Sequence, residues 1–144
     1  MKNHHPIFLI LFMFLASCAI EPQPINYGKD ACHYCKMNIV DSQHAAQFVT
    51  EKGKCYKFDA IECMLNQMKK FDEAPIALHL VSDYSSPGEL TDATKATYLI
   101  SDAIPSPMGA FLSGFASQEK AVSTHAETGG ELFDWQQLKT KYGQ

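Results

Sequence analysis

Between residues 45 and 81 the chain runs through two short β-prone segments, an amphipathic helix and a third apolar segment, an order that points to an α+β fold. Residues 45–50 and 55–58 are separated by Glu51-Lys52-Gly53-Lys54, a hairpin signal with glycine available for the turn. Residues 59–70 then read as a helix whose apolar positions Ile61, Met64, Leu65 and Met68, continued by Phe71, fall on one stripe. Asp59 and Glu62 predict an N-cap and its reciprocal partner. Residues 76–81 and 96–100 read as strands of the same sheet, with a surface turn at Ser85-Ser86-Pro87-Gly88 between them. Residues 110–115 predict a further strand, interrupted by Gly114. A helix over residues 117–128 closes at Gly129-Gly130, and Asp134 with Gln137 caps a last helix on which Trp135, Leu138 and Tyr142 share a face. The second set of elements repeats the rhythm of the first. The expectation is two small, similar strand-strand-helix-strand halves in one compact domain over residues 31–144.

What precedes that domain sets its location. Residues 1–17 begin with Lys2, His4 and His5 and continue into an apolar run too short to span a bilayer, which reads as a signal peptide. The run ends in Leu15-Ala16-Ser17-Cys18, the small-residue pattern of a bacterial lipobox, so Cys18 is the expected lipidation site. Residues 18–30 hold Pro22, Pro24 and Gly28 with few apolar side chains, and predict an extended, lipidated tether. The remaining length suits one modest core. The net charge is −4 at pH 7, and the leader removes only one lysine, so a nucleic-acid partner is disfavoured. With no arginine anywhere, the chain also lacks the usual clamp for anionic substrates.

The chemistry concentrates in Cys32-His33-Tyr34-Cys35-Lys36-Met37. A thiolate and a thioether two positions apart, at Cys35 and Met37, form a soft chelate that favours Cu(I), with Cys32, His33 or a distant residue completing the site. A second reading makes Cys32 and Cys35 the redox pair of an exported thiol–disulfide exchanger. That reading wants a helix after the motif, and Lys36-Met37-Asn38-Ile39-Val40 is a poor helix start. A third makes the cysteines structural, as zinc ligands or as disulfides; four thiols in an exported chain allow three pairings. Zinc fits poorly, because Cys55 and Cys63 do not form a second close pair. Methionine has no use in either alternative. Met108, in Pro105-Ser106-Pro107-Met108-Gly109, is a candidate fourth donor held by a stiff loop. Cys63 lies about 160° from the middle of the apolar stripe, where it predicts a contact with Phe58 or a disulfide with Cys55. His33, His44, His79 and His125 are read as structural.

The lipobox, Cys32-x-x-Cys35-x-Met37, the Phe58-Asp59 entry into a helix bearing Cys63-Met64, the Pro107-Met108-Gly109 loop and Gly129-Gly130 together resemble the NosL family of copper-chaperone lipoproteins. The resemblance covers nearly all of the chain after the leader. It implies an α+β fold of two similar halves related to organomercurial lyase. It implies an extracytoplasmic carrier without catalytic turnover, in the bacterial cell envelope and facing the periplasm, that delivers Cu(I) for the copper centres of nitrous oxide reductase. Its partners would be that enzyme, an ABC-type maturation complex and, through the lipid, a membrane. Cys35 and Met37 match the family's Cys-x-Met run, Met108 matches its later methionine, and Cys32 matches a position many members share. Lys36 stands where members often have glycine, and Cys55 has no counterpart. A lyase activity does not follow from the fold analogy.

Overall fold

The computed structural model describes residues 19–144. The expected signal peptide, and Cys18 with its lipid, lie outside these residues. Ten elements follow in order: β1 (Ala46–Thr50), β2 (Cys55–Phe58), α1 (Ile61–Met68), β3 (Ile76–Ser82), β4 (Leu90–Asp92), β5 (Thr97–Ile100), β6 (Leu112–Phe115), α2 (Gln118–Thr128), β7 (Glu131–Phe133) and α3 (Trp135–Lys141). They form a four-stranded sheet in the order β2-β1-β3-β4 and a three-stranded sheet in the order β6-β5-β7. All pairings are antiparallel.

The two halves share one plan, strand-strand-helix-strand with the first strand in the centre of its sheet. β1 pairs with β2 and β3, as β5 pairs with β6 and β7. A central strand loses water on both faces, which is why all five residues of β1 are buried. Packing is shared between the halves. Tyr98 turns into the large core with Phe48, Phe58, Met64 and Leu138, while its neighbour Leu99 points the other way, to Phe115 and Ala121 under α2. That alternation is the period-two geometry of a strand with helices on opposite sides.

Several local expectations change in the folded chain. The strands at residues 76–81 and 96–100 do not share a sheet: β3 and β5 each belong to a different one. The short β4 and β7 had no pattern long enough to be read. α1 starts later than expected, at Ile61, behind an extended Ala60 with no side-chain cap, so Asp59 and Glu62 do not form a capping box. Both are buried instead, at 3 % and 4 % exposure. By contrast α3 has its full capping box between Asp134 and Gln137, and α2 is capped by Ser117 and closes on Gly129 at φ 70°. Within the stretch expected to be an extended tether, residues from Gln23 onward touch the domain. The buried Gln47 amide accepts the Gln23 N–H at 3.0 Å and donates to the Gln23 carbonyl at 2.8 Å. Lys57 reaches the Pro24 carbonyl, and Ile25 and Tyr27 pack on the core.

Candidate metal centre

The cysteine loop is built before any side chain is considered. Ala31 bridges to Asn38, the Cys32 N–H donates to the Met37 carbonyl at 2.8 Å, and the Lys36 N–H returns to the Cys32 carbonyl at 3.0 Å. The His33 N–H donates to the Lys57 carbonyl at 2.8 Å, which fastens the loop to β2. Closing it this tightly puts Lys36 at φ 68°, a left-handed conformation that costs a non-glycine residue roughly 1–2 kcal/mol. The side-chain amine of Lys36 donates to the His33 carbonyl and helps hold it there.

Over this loop sits the start of α1. The result is a knot of four donors: the sulfurs of Cys32, Cys35 and Cys63 and a carboxylate oxygen of Asp59 all lie within 4.8 Å of one another. Cys32 and Cys63 are each 1 % exposed, whereas Cys35 is half-buried and opens toward solvent. All four cysteines of the described residues are free, so the Cys55–Cys63 disulfide does not form. Cys63 meets Cys32. Cys55 donates to Gln47 Oε1 at 3.1 Å, away from the knot.

The electrostatics single out one sulfur. Cys32 has its pKa lowered, chiefly because the Cys63 thiol donates to it, with the amides of Cys35 and Asp59 adding to the effect against the cost of burial. Cys63 is pushed up by that same interaction and by burial. Cys35 is pushed up by burial first, then by its neighbours Cys32 and Asp59. Its thiol donates to Asp59 Oδ1 at 3.4 Å. Without metal Cys32 is the sulfur that ionises most readily, while Cys35 and Cys63 hold their protons more firmly, and binding an ion displaces thiol protons from the knot.

Met37 and Met108 stand outside the buried knot, at 48 % and 42 % exposure. The loop bearing Met108 is nevertheless fixed to the same turn of α1. Ser106 Oγ donates to Glu62 Oε1 at 2.8 Å and the Ala110 N–H to the same oxygen at 3.3 Å, and Glu62 is the residue before Cys63. Of the donors expected from sequence, Cys32 and Cys35 are thus brought together in the interior, and the two methionines are presented at the surface. Cys63 and Asp59 are the donors sequence reasoning missed. The available signal was a third cysteine in the first turn of a helix entered through Phe58-Asp59.

No histidine belongs to the knot. His44 is buried with Nδ1 at 2.8 Å from Asp41 and Nε2 at 3.1 Å from Ser113. The acid–imidazole–hydroxyl order looks like a hydrolytic relay, but Ser113 is fully buried in β6, so no substrate can approach it. The relay joins the first half to the second. As for thiol exchange, no helix follows Cys32-x-x-Cys35, so the motif lacks the helix N-terminus that such chemistry uses, and the amides that meet Cys32 are those of Cys35 and Asp59.

The model of the NosL family matches residues 24–142, the whole of both halves. The chain belongs to the NosL family. Among relatives, the copper-binding lipoprotein NosL of Stutzerimonas stutzeri is 26 % identical over 128 residues, covering 83 % of this chain and 67 % of that one. Among solved structures, that of the copper chaperone NosL from Shewanella denitrificans superposes with a TM-score of 0.70 at 17 % identity, over 82 % of this chain and 95 % of the other. The NosL fold is therefore common to both, two antiparallel sheets and three helices among the described residues of the present chain.

Proposed function

We propose that this NosL protein carries Cu(I) in the periplasm, anchored by a lipid on Cys18, and passes the ion to the machinery that builds the copper centres of nitrous oxide reductase. The observation that carries the reading is a half-buried thiol, Cys35, beside the buried Cys32 sulfur and two residues from the exposed thioether of Met37. Inward it meets Cys32, and outward the chain presents Met37 and Met108 to solvent. Cu(I) prefers few, soft donors, and a thioether remains a ligand without losing a proton. A site of two or three such donors, Cys35, Met37 and Met108 with Cys32 in reserve, holds the ion yet leaves a position open to an acceptor, so transfer proceeds by ligand exchange. The lipid anchor accords with the relative named a lipoprotein, and no helix among the described residues is long and apolar enough to cross a membrane. The partners in this reading are nitrous oxide reductase and an ABC-type maturation complex.

The test is an anaerobic Cu(I) titration of the reduced chain beside single replacements of Cys32, Cys35, Met37 and Met108. Met37→Leu is expected to weaken Cu(I) binding and to leave disulfide-reduction rates unchanged. The opposite pattern would favour a thiol–disulfide exchanger and overturn the copper reading. Oxidising Cys32 to Cys35 removes the thiolate and should abolish copper uptake; equal stoichiometry in the oxidised protein would contradict that.

A further inference from the structure

A Cu(I) position made from Cys35 and two exposed methionines leaves Asp59 and Cys63 without a task. Asp59 is 3 % exposed, its carboxylate is met by the Cys35 thiol, and no lysine or histidine pairs with it among the described residues. A buried carboxylate in a nest of thiols is costly unless a cation joins it. Oxygen is also a donor that Cu(I) does not seek, whereas zinc accepts mixed sulfur and oxygen sets in a closed tetrahedron.

The geometry suits that second kind of ion. Three sulfurs and one oxygen within 4.8 Å of one another are no more widely spread than the corners of a regular tetrahedron of that edge. Its corners lie about 2.9 Å from the centre, against bonds of about 2.3 Å to sulfur and about 2.0–2.2 Å to oxygen, so each donor moves inward by less than about 1 Å. Charge argues the same way. With all four donors ionised, a divalent ion offsets twice the buried negative charge that a monovalent ion does. The sequence pattern pointed away from zinc for lack of a second cysteine pair, but Cys63 and Asp59 supply the missing two donors from the entry to α1.

We propose that Cys32, Cys35, Cys63 and Asp59 form a buried four-coordinate site for a divalent, zinc-class ion, sharing Cys32 and Cys35 with the exposed Cu(I) position. The chain then holds one ion at this loop at a time. Occupancy of the inner site withdraws the Cys35 thiolate from copper and leaves Met37 and Met108 with no thiolate to complete their set. Entry of the ion releases to solvent the thiol protons that its cysteine ligands hold. Only this competition rests on the copper reading; the divalent site itself does not.

The experiment is an anaerobic titration of the reduced full chain with Co(II) as a spectroscopic stand-in, followed by Zn(II). The expected result is one Co(II) per chain with the intense visible absorption of tetrahedral thiolate coordination, displaced by Zn(II). Cys63→Ser and Asp59→Asn should each lower the Zn(II) affinity by more than about 100-fold, beyond what loss of an outer partner costs. Asp59→Asn preserves shape, and circular dichroism of the metal-free variants establishes that they fold. Cys55→Ser should change nothing, and Met37→Leu should weaken Cu(I) but not Zn(II). A weak octahedral Co(II) spectrum in the parent chain overturns the site, and a tetrahedral spectrum that survives both replacements overturns the ligand set. If Zn(II) fails while Cu(I) still binds through Met37, the copper reading stands alone; if Cu(I) fails while Zn(II) binds, the reverse holds.

Discussion

Ser106→Ala tests whether the Met108 loop is held by the helix that carries Cys63. The hydroxyl of Ser106, a residue only 8 % exposed, donates to Glu62 Oε1 at 2.8 Å and accepts the Phe111 N–H at 3.0 Å. A hydrogen bond to a carboxylate contributes about 1.5–3 kcal/mol, and a stranded amide costs about 1–3 kcal/mol. Phe111 is half-buried, so water recovers part of the second figure. The loop has little reserve, because Phe111 sits at φ 57° and that conformation alone costs an aromatic residue roughly 1–2 kcal/mol. The expected loss is about 2–4 kcal/mol, less than the whole stability of a domain, so the loop should open before the fold does. Urea unfolding measures the total. Native-state hydrogen exchange at the Ala110 and Phe111 amides should show lost protection while the β1 amides hold theirs. In the copper reading, Cu(I) affinity falls with the loop, and in a Met108→Leu background the substitution adds no further loss. A destabilisation below about 0.5 kcal/mol with unchanged exchange at Ala110 and Phe111 would refute the latch, since it is smaller than even one ordinary hydrogen bond.

Gly130→Ala places a Cβ 2.1 Å from the Ile100 carbonyl oxygen at φ 102°, so a loss of about 3 kcal/mol or more is expected; an unshifted denaturation midpoint would contradict it. Phe48→Ala removes a fully buried ring lying 4.8–5.3 Å from the rings of Tyr56, Phe58 and Phe71, and should cost about 3–5 kcal/mol by chemical denaturation. Burial, with Lys139 adding, lowers the pKa of His79 from its ordinary 6.5. The unfolded chain then binds more protons than the folded one as pH falls below that value, so stability drops on the acid side until the folded His79 itself titrates. His79→Gln should flatten this slope, and an unaltered slope in the variant would assign it elsewhere.

The local signals in the chain were strong where a contact spans a few residues. Gly53 marked the β1–β2 turn, Asp134 and Gln137 marked the start of α3, and Gly129 marked the end of α2, because each of these is decided by backbone conformation and hydrogen bonds between near neighbours. The strand-strand-helix-strand rhythm was legible in the first half and, short of its last strand, in the second for the same reason. The Cys-x-x-Cys loop was equally visible, and so was its failure to continue as a helix. Strands of three residues, β4 and β7, carry too little pattern to be read, and they exist because β3 and β5 offer them an edge.

What the sequence determined alone is the two-half α+β plan and one sulfur-bearing loop. Tertiary structure decided what that loop faces. The residue type and spacing of Asp59 gave it the signature of a helix cap, and the helical wheel put Cys63 off the apolar stripe; both inferences consider only the helix and the sheet beneath it. In the folded chain the loop that carries Cys32 and Cys35 covers the other side of that helix, so all five residues from Ile61 to Leu65 are buried. A periodic pattern reports one buried face. A helix turn enclosed from two directions, by segments more than twenty residues apart, has no periodic signature, and that enclosure is what turns a cap and an off-stripe cysteine into donors.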